Sequence, residues 1–140
     1  TDIIRTLGQS SHTMIFPIHP RTRQALTRHN ITPNPNIIMT DPVGYLEMIT
    51  LLEHSERVIT DSGGLQKEAL FMKKPCITVR DTTEWVETVQ TGWNTLVMDS
   101  PTKLNQDKLN LALNKTPLTH ALPNPYGSGD AAEKIVALIS

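Results

Sequence analysis

Short apolar runs recur along this chain, each followed by a stretch of helical periodicity, and this alternation narrows the possible folds more than any other feature. The runs lie at 13–18 (TMIFPI), 36–39 (NIIM), 57–60 (RVIT), 76–79 (CITV) and 95–98 (TLVM). Continuous apolar runs of this length suit strands buried on both faces, and helices between them join neighbouring strands in parallel. The spacing predicts helices over 22–29, 45–53, 64–72, 84–91, 102–113 and 131–139, with a Pro/Asn/Gly loop over 124–129 between the last two. Leu46, Ile49 and Leu52 keep helical spacing, whereas Leu109, Leu111 and Leu113 fit no single stripe and leave that helix's register open. Lys73-Lys74-Pro75 stops the third of these helices and Gly92 the fourth. The expected fold class is α/β: a Rossmann-like parallel sheet with helices on both faces, which binds ligands at the carboxyl ends of its strands.

One hundred and forty residues make one domain with room for a real core. A formal net charge of −1 gives no field for nucleic acid or an anionic membrane, and 4% aromatic residues argue against base-stacking platforms. No apolar run approaches a transmembrane length and no signal-peptide pattern opens the chain. The only cysteine, Cys76, lies in an apolar run and reads as a buried inert thiol; this fits a reducing cytoplasm, the expected location. The chain lacks an initiator Met and opens, at residues 1–4, like a helix already in progress, so an excised piece of a larger protein is expected.

The densest chemical signal is RVITDSGGLQKEALF at 57–71. A strand that turns through Asp61-Ser62-Gly63-Gly64 into a helix makes an anion site. Glycines let a ligand approach the backbone, and the first helical N–H groups have no intrahelical partner. The helix dipole favours a phosphate there. Ser62 can donate a hydroxyl hydrogen bond, and Glu68 can accept from sugar hydroxyls or pair with Lys67 or Lys73 in solvent. The same four residues are also ordinary turn and cap chemistry, so the motif alone leaves both readings open.

Position along the sheet favours the functional one. His19 follows the first strand, Asp41 the second, the Ser-Gly-Gly turn the third, and Arg80-Asp81-Thr82-Thr83-Glu84 the fourth. In a parallel sheet these loops share one rim. His19, held extended before Pro20, is a proton carrier or phosphate donor, or else hydrogen-bonds a nearby carbonyl. Arg80 is a phosphate donor or an ion-pair partner of Asp81 or Glu84, and Glu84 serves the helix dipole or touches ligand. His12, His29, His54 and His120 have no partner at metal-ligand spacing, so no metal is expected. Trp85 and Trp93 are expected to pack the last helix onto the sheet.

TDSGGLQKEA (60–69), KPCITVRDTTE (74–84) and NPYGSGDAAEKIV (124–136), with the His-Pro after the first strand and Asp-Pro-x-x-Tyr-Leu at 41–46, resemble the C-terminal domain of the non-hydrolysing UDP-N-acetylglucosamine 2-epimerases over nearly the whole chain. The resemblance implies one half of a two-domain enzyme of the glycosyltransferase-B type. Ser62, Gly63 and Gly64 would hold the diphosphate of a UDP-sugar and Glu68 its ribose. Arg80 and Glu84 would line the nucleotide site, and His19 would face the diphosphate or sugar as a catalytic group. The implied reaction inverts C2 of UDP-N-acetylglucosamine by elimination and re-addition of UDP, without redox cofactor or metal. The implied partners are the N-terminal domain, which carries most of the catalytic carboxylates, and a second copy of the full-length protein.

One block departs from the family. Its usual T-E-R-P-E is Thr83-Glu84-Trp85-Val86-Glu87 in this chain, which resembles the branch acting on UDP-2,3-diacetamido-2,3-dideoxyglucuronate. A glycosyltransferase of the same architecture and a non-catalytic UDP-sugar sensor are the other readings.

Overall fold

The computed structural model describes residues 2–116 and 125–139. Helix α1 (Asp2–Gly8) leads into β1 (Met14–Pro17), α2 (Pro20–Arg28), β2 (Ile37–Thr40) and α3 (Tyr45–His54). Then come β3 (Val58–Thr60), α4 (Gly63–Phe71), β4 (Cys76–Thr78), α5 (Val86–Gln90) and β5 (Asn94–Leu96). A hairpin of β6 (Met98–Ser100) and β7 (Lys103–Leu104), then α6 (Gln106–Asn114) and α7 (Ala131–Ile139), complete the chain.

All five apolar runs form strands, and β1 to β5 pair only in parallel. The ladders are two, however, β1–β2 and β3–β4–β5, rather than one continuous sheet. Along β3 the Val58 N–H donates to Pro75 O and Thr60 O accepts from the Val79 N–H, both toward β4. One core still spans both ladders: Leu7, Ile37, Ile77, Val97, Leu109 and Leu113, with Met14, Phe16 and Ile59 packed against it. Leu109, Ala112 and Leu113 are buried at helical spacing while Leu111 is 73% exposed, which settles the register of α6.

Basic side chains and left-handed residues finish the helices. The Lys74 ammonium donates to Glu53 O (2.7 Å) and Ser55 O (2.8 Å) at the end of α3, and Arg57 donates to Ala112 O and Lys115 O at the end of α6. Both satisfy carbonyls that the helix cannot, at its negative pole. Helix α4 stops at a left-handed Lys73 (φ 56°), with Lys74 N–H bonded to Ala69 O and Lys73 N–H to Leu70 O. Gly92 (φ 77°) ends α5 in the same left-handed region, where glycine carries no Cβ penalty.

Several boundaries differ from the sequence-based expectation; α2, expected from 22, starts at Pro20. The strand expected over 95–98 covers Asn94–Leu96, and Met98 instead begins the antiparallel hairpin. Asp99 anchors that hairpin, accepting from Asn105 Nδ2 (3.0 Å) and Lys108 Nζ (3.2 Å). The helix expected from 102 therefore starts at Gln106, with Asn105 as N-cap accepting from the Lys108 N–H at 2.9 Å. The helix expected from 84 starts at Val86, because the Thr83 hydroxyl takes the Trp85 N–H at 3.0 Å and holds that residue outside the helix. Asn124, the first residue of the expected loop, and His120 lie outside the described residues. Among the described residues no helix is long and apolar enough to cross a membrane.

Candidate functional site

The turn after β3 starts α4 without a side-chain cap. Ser62 is the N-cap with extended backbone, yet its hydroxyl makes no cap bond, and its own N–H is taken by Thr60 Oγ1 at 3.0 Å. Ser62 and Gly64 are exposed and Gly63 is half-buried. Among the described residues no side chain caps the leading N–H groups of α4, which also lack intrahelical partners, and the Ser62 hydroxyl is available as a donor beside them.

Two loops meet at this point. Arg80 Nη1 pairs with Glu84 Oε2 at 2.9 Å, and Glu84 Oε1 lies only 2.0 Å from where a Cβ on Gly63 would stand. Trp85 Nε1 is 3.3 Å from the same position. Glycine at 63 therefore leaves room for the Arg80–Glu84 pair and the indole beside the helix end; a side chain there would have to displace the Glu84 carboxylate. A hydrogen bond from its own backbone N–H, followed by the Arg80 guanidinium, holds the Glu84 carboxyl below its usual range.

Beneath the turn runs a buried polar network that residue-by-residue reading of the sequence missed. Gln66, fully buried on α4, accepts from the Thr83 hydroxyl (2.6 Å) and Asn94 Nδ2 (3.1 Å), and donates to Ser62 O (3.4 Å). Asn94 Nδ2 also donates to Thr88 Oγ1 (2.9 Å), and Asn94 Oδ1 accepts from the Thr78 hydroxyl (2.7 Å). One side chain thereby ties the DSGG turn to the RDTTE loop, α5 and β5. Buried amides with their partners in place are rigid supports. The legible signal was Gln66 standing in the stripe of Ala69 and Leu70, a polar residue on an apolar face.

The remaining candidates are placed as follows. Glu68 is half-buried on α4 and, among the described residues, makes no ion pair with Lys67 or Lys73. Lys67 instead sits over the Trp85 ring at 3.9 Å and the Tyr126 ring at 5.6 Å. His19 is the N-cap of α2: its Nδ1 accepts from the Arg21 N–H at 3.2 Å rather than meeting a carbonyl. That bond puts the ring proton of the neutral form on Nε2, so the exposed ring presents an N–H donor. No hydrogen bond or ion pair among the described residues joins His19 to the Gly63–Glu84 group. Asp41, in the loop after β2, pairs with Arg23 of α2 at 3.0 Å. Trp93 is buried just before β5, whereas Trp85 packs at the α4 mouth, edge-on to Tyr126, and not between the last helix and the sheet. Among the described residues no group of His, Cys, Asp and Glu is arranged to hold a metal ion.

Residues 1–140 match the UDP-N-acetylglucosamine 2-epimerase family profile. The chain is 41% identical, over 99% of its length and 39% of the relative's, to a UDP-N-acetylglucosamine 2-epimerase homolog of Methanococcus maripaludis. It is 43% identical, over 91% of its length and 34% of the relative's, to the UDP-2,3-diacetamido-2,3-dideoxy-D-glucuronate 2-epimerase of Pseudomonas aeruginosa. A crystal structure of Methanocaldococcus jannaschii UDP-GlcNAc 2-epimerase in complex with UDP-GlcNAc and UDP superposes with a TM-score of 0.75 at 40% identity, covering 98% of this chain and 38% of that one. The chain thus spans less than half the length of the curated relatives it matches. It belongs to the UDP-N-acetylglucosamine 2-epimerase family.

Proposed function

We propose that this chain is the nucleotide-binding C-terminal half of a UDP-sugar 2-epimerase, an isomerase that inverts C2 of UDP-N-acetylglucosamine. The observation that carries this is the uncapped start of α4, with a free Ser62 hydroxyl and the Arg80 guanidinium beside it, in a chain whose M. jannaschii relative was crystallised with UDP-GlcNAc and UDP. Ser62, Gly63 and Gly64 hold the diphosphate, Glu68 accepts from the ribose hydroxyls, and Arg80, oriented by Glu84, completes the nucleotide site. The Nε2–H of His19 faces the diphosphate or sugar.

The chemistry follows from charge. Loss of the C2 proton and rupture of the C1–O bond release UDP and leave a C1–C2 double bond. Re-addition with protonation on the opposite face gives the epimer. The leaving diphosphate gains negative charge, which a preorganised helix end and a guanidinium stabilise. No net oxidation occurs, so the stoichiometry calls for no redox cofactor. Moving the C2 proton needs acid and base groups near the sugar. We assign these to an N-terminal domain, in keeping with the share of the relatives that this chain spans. The wholly exposed α7, with Leu138 85% and Ile139 80% accessible, supports a covering partner. The full protein is a homodimer in this reading, and the lone buried thiol of Cys76 fits a cytoplasmic setting.

A second reading, epimerisation of UDP-2,3-diacetamido-2,3-dideoxyglucuronate, is favoured by Trp85 in the TTEWVE block and by the P. aeruginosa relative. Incubating the full-length protein in deuterated water with each UDP-sugar tests both. Deuterium at C2 of an inverted product identifies the substrate. Transfer of the sugar to an acceptor would point to a glycosyltransferase, and binding with no exchange at C2 to a sensor.

A further inference from the structure

We propose that the indole N–H of Trp85 is a direct donor to the diphosphate at the start of α4, a binding role beyond the glycines, Ser62 and Arg80; this rests on the nucleotide-site reading above. Among the described residues Trp85 Nε1 has no hydrogen-bond partner, and it is shut off from solvent. Buried donors rarely stay unpaired, and each exception asks for the group that completes it. The nitrogen lies 3.3 Å from the Cβ position of Gly63, at the first turn of α4, and Glu84 Oε1 stands in the same space without accepting from it.

The ring is held in this aim from two sides. The Lys67 ammonium covers its face at 3.9 Å, and Tyr126 meets it edge-on, with centroids 6.3 Å apart at 83°. An indole offers one donor, no acceptor and no titratable proton, so Trp85 cannot serve as acid or base. It can only recognise an acceptor, and the acceptor that a helix N-terminus gathers is a phosphate oxygen. Because residue 63 has no side chain, an oxygen that takes the place of Glu84 Oε1 beside it reaches the indole, while Glu84 Oε2 keeps its bond to Arg80. Trp85 thus supplies a neutral donor where the family's usual T-E-R-P-E block carries Arg, and Lys67 on its face keeps a positive charge nearby.

The test is a titration of the full-length protein, labelled with 15N at indole nitrogens, with UDP and separately with uridine. The Trp85 signal is identified by its cross-peaks to Lys67 and Tyr126. UDP should move the indole proton downfield and uridine should leave it in place. Trp85→Phe, which keeps the ring for Lys67 and Tyr126, should weaken UDP binding about tenfold and leave uridine unaffected. UDP-induced amide shifts at residues 62–65 with a stationary indole signal would overturn the role of Trp85 and leave the nucleotide site standing. If neither the amides nor the indole respond, the site itself is misassigned and the inference falls with it. The wild-type titration decides the matter whatever the stability of the variant.

Discussion

The Oε1 atom of Glu84 occupies space that any side chain on Gly63 would need, 2.0 Å from the Cβ position, while its Oε2 holds Arg80. Neighbouring Gly64 is different: nothing lies closer to its Cβ position than Ser62 Oγ at 3.9 Å. The two positions therefore differ: a side chain at 63 has to displace the Glu84 carboxylate, whereas one at 64 meets open space, which in the proposed site is left for the ligand. Gly63→Ala should displace the Arg80–Glu84 pair, shift the amides of residues 80–85 and weaken UDP binding by about tenfold or more. Gly64→Ala should stabilise the free protein by roughly 0.5 kcal/mol, since alanine favours a helix, yet still weaken UDP. Urea unfolding and calorimetric titration of both variants check the pair. Equal effects from the two substitutions would contradict the distinction.

Gln66 is the keystone of the polar network under the site. Gln66→Leu leaves the Thr83 hydroxyl without its acceptor and removes one of the two acceptors of Asn94 Nδ2. Loss of buried partners of this kind should lower stability by about 2–3 kcal/mol, read from urea midpoints, and loosen the RDTTE loop. A change under 0.5 kcal/mol would mean that the network contributes little to holding the turn.

Much of this arrangement could be read from residue types alone. Five apolar runs announced five parallel strands, and DSGG announced a turn into a helix, although the motif alone left the open anion site and the ordinary N-cap both possible. The partners could not be read that way. That Glu84 lies on Gly63, that Trp85 sits at the mouth rather than in the sheet, and that Gln66 reaches Asn94 all depend on two loops meeting in space, which spacing along one chain does not encode. The β6–β7 hairpin was missed for a related reason. Its strands of three and two residues are too short to show alternation, and side-chain bonds to Asp99 define it instead of a hydrophobic pattern.

Burial pushes the Cys76 thiol up to about 11 from 9.0, against a smaller opposing effect of the Thr78 hydroxyl. Between those values the folded state keeps a proton that the unfolded chain has shed. Stability should therefore fall as pH rises through this window, by up to about 3 kcal/mol in all, and be insensitive to this group below it. Cys76→Ala removes that part of the slope, so the stability gap between wild type and variant should narrow between pH 9 and 11. A gap independent of pH would refute the assignment. At neutral pH the native thiol should also resist alkylating reagents that modify it in the unfolded chain.

Lys73 adopts a left-handed conformation (φ 56°) to close α4, where glycine would carry no steric penalty. Lys73→Gly should raise the thermal midpoint, with a gain of about 0.5–1 kcal/mol and no effect on nucleotide binding. A loss of stability would show that Lys73 makes a contribution beyond its backbone.

Binding of a nucleoside diphosphate at the uncapped start of α4 is read by backbone amide NMR of the full-length protein during a UDP titration. Saturable shifts are expected, concentrated at Ser62, Gly63, Gly64, Leu65 and Arg80 and abolished in a folded Gly64→Val variant. Saturation with shifts elsewhere and none at these residues, or identical titrations of wild type and Gly64→Val, would contradict it.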